Sequence, residues 1–209
     1  RRQGRAGAPR PPGLARDFVA PAIVRFGSRY PGIRVEVAVS DSDYDLGRRE
    51  ADLALRATPR PPEPLIARHV LDLPWRVCAG ERYLAERDPP AGMDELGEHP
   101  LIGCDETFAH LPAFAWLRSH FPPEHFAATS NDLSTMAALA VAGAGLAVLP
   151  ADQQPPGLIP PFDLDPPATT GLWILTHPDL RRVARIRLFG QFLLDTLRQD
   201  ARLRSLPVR

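Results

Sequence analysis

Arg56 ends the run Asp52-Leu53-Ala54-Leu55-Arg56, a short apolar segment that reads as a strand carrying a guanidinium to its carboxyl end. A planar fork in that position suits bidentate recognition of a carboxylate. The competing structural role is an ion pair with Asp41, Asp43 or Asp45. A second candidate group is Ser130-Asn131-Asp132, standing just ahead of Leu133, Met136, Ala140 and Val141, whose spacing predicts a helix with one apolar face. Side-chain oxygens of Asn131 and Asp132 can cap that helix by accepting from its first amides. A helix N-terminus also attracts anions, so Ser130 and Asn131 could donate to the same negative group. Plain capping would use these residues without any ligand. Thr107, beyond Leu101 to Gly103, and Ser42, beyond the strand expected to end at Val39, place hydroxyls after two further strands.

Other chemistries fail on spacing. Asp41-Ser42-Asp43-Tyr44-Asp45 imitates a calcium loop, but Leu46 stands where the turn needs Gly and Asp52 where a bidentate Glu belongs. The histidines, His69, His99, His110, His120, His125 and His177, form no H-E-x-x-H pattern, and His120 and His125 are split by Pro122-Pro123. Neither a G-x-S-x-G elbow nor a phosphate-binding glycine loop is present. Gly143-Ala144-Gly145 closes a helix where a dinucleotide site would open one. No catalytic residue, cofactor or metal is therefore expected, and the chain reads as a binding module and not an enzyme.

Composition agrees. The charges, 25 basic and 25 acidic, balance to zero, so the chain lacks the net basicity of a nucleic-acid binder. Every basic residue among the 25 is Arg, which with 25 Pro points to a GC-rich genome. No apolar run approaches the roughly 20 residues of a membrane span, and the Arg-rich start has no signal-peptide core. Cys78 and Cys104 fit no metal or disulfide framework, which suits reduced thiols in the cytoplasm.

The elements that must position these residues alternate. A helix is expected from near Leu14 to Tyr30, its core stripe Val19, Ile23, Phe26 and Tyr30, with regular geometry starting near Val19 because of Pro21. Ile33 to Val39 alternates as a strand, a short helix follows at Asp43 to Arg49, and Leu73 to Ala79 and Leu172 to Thr176 read as strands. Short helices are expected at Tyr83 to Ala85 and Met93 to Leu96, and a longer one at Phe114 to Phe121. The proline-rich stretch 153 to 169 is expected to hold no regular element. Gly143 and Gly145 should end one helix and turn into the buried strand Leu146 to Leu149. A closing helix over 179 to 204 buries Val183, Ile186, Phe189, Leu193 and Leu197. Strands alternating with helices argue for parallel α/β sheets.

Asn131 to Pro150, with its polar cap, helix and G-x-G-hydrophobic-Leu-Pro ending, resembles the effector-binding domain of LysR-type transcriptional regulators. So do Phe18 to Ile23 with Tyr30-Pro31, Asp52-Leu53-Ala54-Leu55-Arg56, His99-Pro100-Leu101-Ile102, and Trp173 to Arg181. The resemblance implies an α/β fold of the type 2 periplasmic-binding-protein kind: two Rossmann-like lobes, 1–74 plus 177–209 and 75–176, joined by two crossover strands. It implies a small effector, a carboxylate or other anion, between the lobes, and a homodimer or homotetramer using helix one and its following strand against the second lobe of another copy. Phe18, Ala22 and Val24 are the residues expected on that second face of helix one. DNA would be reached through a winged helix-turn-helix ahead of this chain, and no membrane is involved. The family's first loop presents hydroxyls to the effector. Here that loop is Pro9-Arg10-Pro11-Pro12-Gly13, so Arg10 or backbone amides such as that of Gly13 would substitute. Two alternatives stay open: a periplasmic-type solute-binding protein, which needs an export signal, and a degenerate sensor without effector.

Overall fold

In the computed structural model, which describes residues 13–38, 51–153, 155–163 and 168–204, the first helical segment opens as a π-helical turn, Leu14–Val19, and continues as α1, Ala20–Arg29. Pro21 sits in the first turn of α1, where its missing N–H would have had no partner anyway. The buried stripe is Phe18, Ala22 and Phe26, while Val19, Ile23 and Tyr30 are half-buried. This corrects the expected stripe. The residues at a regular spacing of four turn inward, and of the expected second face only Val24, 71% exposed, faces solvent.

The chain divides into two compact units. The described residues of 13–75, 150–152 and 168–204 form one, and those of 76–149 and 153–163 the other. In the first unit, β1 (Ala54–Ala57), the leading part of β2 (Ile66–Gly80) and β7 (Thr169–Thr176) pair in the order β1-β7-β2. Both pairings are antiparallel. The expectation of parallel sheets fails here because β2 carries the chain out of this unit and β7 brings it back, so the two must run in opposite directions. Helix α5 (Ala184–Gln199) packs its apolar stripe on this sheet, with Ile186, Leu193 and Leu197 buried as expected and Gly190 and Leu194 beside them. Phe26 of α1 meets Phe189 and Phe192 edge-on at centroid distances of 5.0 and 5.3 Å. The closing helix is not continuous. A 3-10 turn, Pro178–Leu180, precedes α5, and Asp200 interrupts it before the short α6, Ala201–Arg204, by accepting the Arg202 amide at 3.0 Å.

The second unit holds the parallel strands β3 (Leu101–Cys104), β4 (Phe126–Ser130) and β5 (Leu146–Pro150), ordered β2-β5-β3-β4. Helices α2 (Glu81–Leu84), α3 (Pro112–His120) and α4 (Leu133–Val141) connect them, and Met93–Glu98 forms a 3-10 turn where a short helix was expected. The turn after α4 behaves as read: Gly143 and Gly145 have φ of 90° and 153°, and a Cβ on Gly145 would stand 2.2 Å from the Pro100 carbonyl oxygen. The proline-rich stretch is a correction. Leu158–Asp163 forms β6 against β2, and the ladder shifts between Val77↔Phe162 and Ala79↔Ile159, stepping past Pro160-Pro161.

Ile33 to Ala38 carry no ladder among the described residues, and Val37 is 50% exposed. The helix expected at 43–49, Arg10 and Ser42 lie outside the described residues. Among the described residues, no helix is long and apolar enough to cross a membrane.

Candidate functional site

Parallel pairing brings the carboxyl ends of β3 and β4 side by side. Cys104 is in register with Ser130, and the Asp105 amide donates to the Ser130 carbonyl at 3.3 Å. Beyond them the chain turns tightly on both sides. The Thr107 amide donates to the Asp105 carboxylate at 2.8 Å, and the Asp132 amide to Ser130 Oγ at 3.1 Å. Thr107, Ser130 and Asn131 thus share one strand-end surface, with Ser130 half-buried and the other two exposed. Ser130 Oγ accepts from Asp132, which leaves its O–H as a donor.

The helix N-terminus at this surface is already served by a carboxylate. Asp132 caps α4, accepting from the Ser134 amide at 3.3 Å and from the amide and hydroxyl of Thr135 at 2.7 Å each. The attraction of a helix start for anions is therefore met from within the chain. Of the expected pair Asn131-Asp132, only Asp132 caps. The side chains of Thr107, Ser130 and Asn131 carry further donors on this surface. Beneath them the Cys104 thiol is pushed up to about 11 by burial, with Arg118 pulling the other way, so it is neutral at pH 7.

Arg56 belongs to the other unit. It is the third residue of β1, in register with Trp173 of β7, which in turn faces His69 of β2. Leu55 and Ile174 pack into the helix-covered core, so alternation places Arg56, Trp173 and His69 on the opposite sheet face. The guanidinium thus rises from within the ladder and not from beyond the strand end. Trp173 lies over Gly171, where a Cβ would be 2.4 Å from its ring nitrogen, and donates to the Thr58 carbonyl at 3.0 Å. His69 meets the indole edge-on at 4.7 Å and bonds Asp72 at 2.8 Å. Gly13, expected to offer its amide to a ligand, donates it to the Asp17 carboxylate at 2.9 Å.

Comparison with known families decides what this arrangement is part of: the LysR substrate binding domain model matches residues 8–198. The chain is a LysR substrate-binding domain. The resemblance read from its motifs is borne out, as is the type 2 periplasmic-binding-protein-like fold. Relatives include the HTH-type transcriptional regulator CrgA of Neisseria meningitidis serogroup C, 34% identical over 136 residues, covering 63% of this chain and 44% of CrgA. The HTH-type transcriptional activator TtdR of Escherichia coli K12 is 33% identical over 95 residues, covering 45% of this chain and 30% of TtdR. The chain thus spans less than half the length of the curated relatives it matches. The solved regulatory domain of Neisseria meningitidis CrgA superposes with a TM-score of 0.68 at 28% identity, covering 88% of this chain and 94% of that one. The regulatory domain of AphB from Vibrio vulnificus, at 19% identity and a TM-score of 0.61, shares the fold.

Within this LysR substrate-binding domain, sequence reasoning offered Ser130 and Asn131 together and Thr107 separately, and it missed the row of Trp173 and His69 beside Arg56. Gly171 two residues before Trp173 was the available signal, since an indole folded back over a strand needs a residue without Cβ. Among the described residues, no group of three or more His, Cys, Asp or Glu side chains could hold a metal ion.

Proposed function

We propose that this LysR substrate-binding domain senses a small carboxylate or similar anion and, as a homodimer or homotetramer, relays that binding to a DNA-binding domain elsewhere in a longer protein. The family match carries the regulatory reading, supported by relatives that are named HTH-type regulators and of which the chain spans only part. The donors on Thr107, Ser130 and Asn131 support an anionic ligand, and the planar guanidinium of Arg56 supports a carboxylate. Arg10 and Ser42 complete the proposed effector set. Relay requires only that the effector bind two states of the domain unequally.

A thermal-shift panel of carboxylates, amino acids and inorganic anions tests the reading. A ligand held only by the folded state adds about 2.7 kcal/mol at about 100 times its Kd, a readable shift. Arg56→Ala is expected to weaken the ligand so found by about tenfold or more. Unchanged affinity in that variant removes Arg56 from the site. A flat panel on folded protein favours a domain that controls assembly without an effector.

A further inference from the structure

A cavity of about 290 Å³ opens between α3 and the β3–β4 pair, wholly within one unit. Its walls are Phe114 and Leu117 of α3, Phe121 just beyond that helix, and Phe126 at the start of β4. Phe114 and Leu117 are fixed parts of the core, each 1% exposed. Phe126 can form a wall because Gly103 has no side chain: a Cβ there would stand 2.6 Å from the ring. Cys104 closes the floor with a neutral thiol. Thr107, Ser130 and Asn131 are not among its lining residues.

Arg118 is the cation of this cavity, and its guanidinium donates to Glu106 Oε1 at 2.6 Å. A carboxylate is therefore already seated on that fork. The Glu106 side chain is 84% exposed, and a surface pair of this kind contributes little and is readily exchanged. A ligand carboxylate could take the fork while its ring is buried against the phenylalanines, and released Glu106 would stay hydrated. Size sets the class. An apolar cavity of roughly 150 Å³ holds benzene, and pockets for larger ligands start near roughly 300 Å³.

We propose that this cavity is a second small-molecule site, taking a single-ring aromatic carboxylate with its ring against Phe121 and Phe126 and its carboxylate on Arg118. Glu106 acts as the built-in competitor that occupies Arg118 when the ligand is away. The cavity adjoins the effector surface at Cys104 and Glu106 but shares none of Thr107, Ser130 and Asn131 with it.

Calorimetric titration of the whole chain with benzoate tests this, with benzamide as the uncharged analogue. Saturable benzoate binding is expected, weakened about tenfold by Arg118→Met and about tenfold for benzamide. Glu106→Gln is expected to tighten binding by removing the competing charge, and Thr129→Phe, which fills the cavity from an exposed position, to abolish it at unchanged thermal stability. Arg56→Ala should leave benzoate affinity as it was. Absence of saturable binding, or equal affinity in Arg118→Met and the unaltered chain, overturns the proposal. So does a loss that follows Arg56→Ala instead, which would place benzoate at the effector surface.

Discussion

Asp132 shows how one residue can serve the fold and set the terms of the site. Its carboxylate holds two backbone amides and one hydroxyl at the start of α4, so removing it costs a helix cap. Asp132→Ala is expected to lower stability by about 1 kcal/mol in chemical denaturation. Asp132→Asn keeps an accepting oxygen but loses the charge. For an anion bound at Thr107, Ser130 and Asn131, the Asn variant should bind more tightly than the parent at equal stability. If the anion binds both proteins alike, the strand-end surface is not where it sits.

At the scale of elements, two devices hold the chain in place. The first is the turn between α4 and β5. Gly145 has a φ that side-chain-bearing residues rarely adopt, and it presses against the Pro100 carbonyl. Gly145→Ala combines backbone strain with a clash against main chain, and we expect a loss of at least about 2 kcal/mol, read as a lowered denaturation midpoint. The second is Arg202, which follows α5. It bonds both carboxylate oxygens of Asp200, donates to the Asp17 carbonyl at 2.9 Å and covers the Phe18 ring at 4.3 Å. Its hydrogen bonds hold the Asp200 carboxyl below the ordinary 3.8, and Arg16 does the same chiefly for Asp17. A depressed carboxylate contributes stability that is complete above its unfolded value and is lost as pH falls through its folded one. Stability should therefore decline below about pH 4, and Arg202→Met should flatten that decline. An acid-unfolding slope identical in the two proteins would remove Asp200 from the account.

For the molecule as a whole, the question is which surface another copy would cover. Buried Phe18 and Ala22 belong to the core of their own unit, which leaves Val24 on α1, and Val37 beyond it, as the large apolar residues exposed on this stretch. Val24→Glu is not expected to disturb the fold, because its side chain packs on solvent. If α1 is the face used by a second copy, light scattering should show this variant shifted to monomer at concentrations where the parent is dimeric. A variant that stays dimeric with the parent's affinity moves the interface elsewhere.

Much of this was legible in the residues. Period-3.6 stripes marked α1, α4 and α5; the polar cap, paired glycines and Leu-Pro ending marked the unit from Asn131 to Pro150; and their order along the chain carried the family. These are local signals, set by helix periodicity, capping and the conformational freedom of glycine. Strands β4 and β6 were not legible, since Ala127 and Thr129 are exposed and Pro160-Pro161 is tolerated only where a ladder slips. The rotation of the α1 stripe toward Phe18 and Ala22 was hidden for the same reason: it depends on which side the sheet lies. What the sequence by itself determined was the family, the class of fold and the residue types offered to a ligand. Tertiary structure alone decided that Asp132 fills its own helix start, that Arg56 stands beside Trp173 and His69, and that Glu106 rests on Arg118 over an apolar cavity. Each of these joins residues distant in the chain or chooses among local partners, and only packing makes that choice.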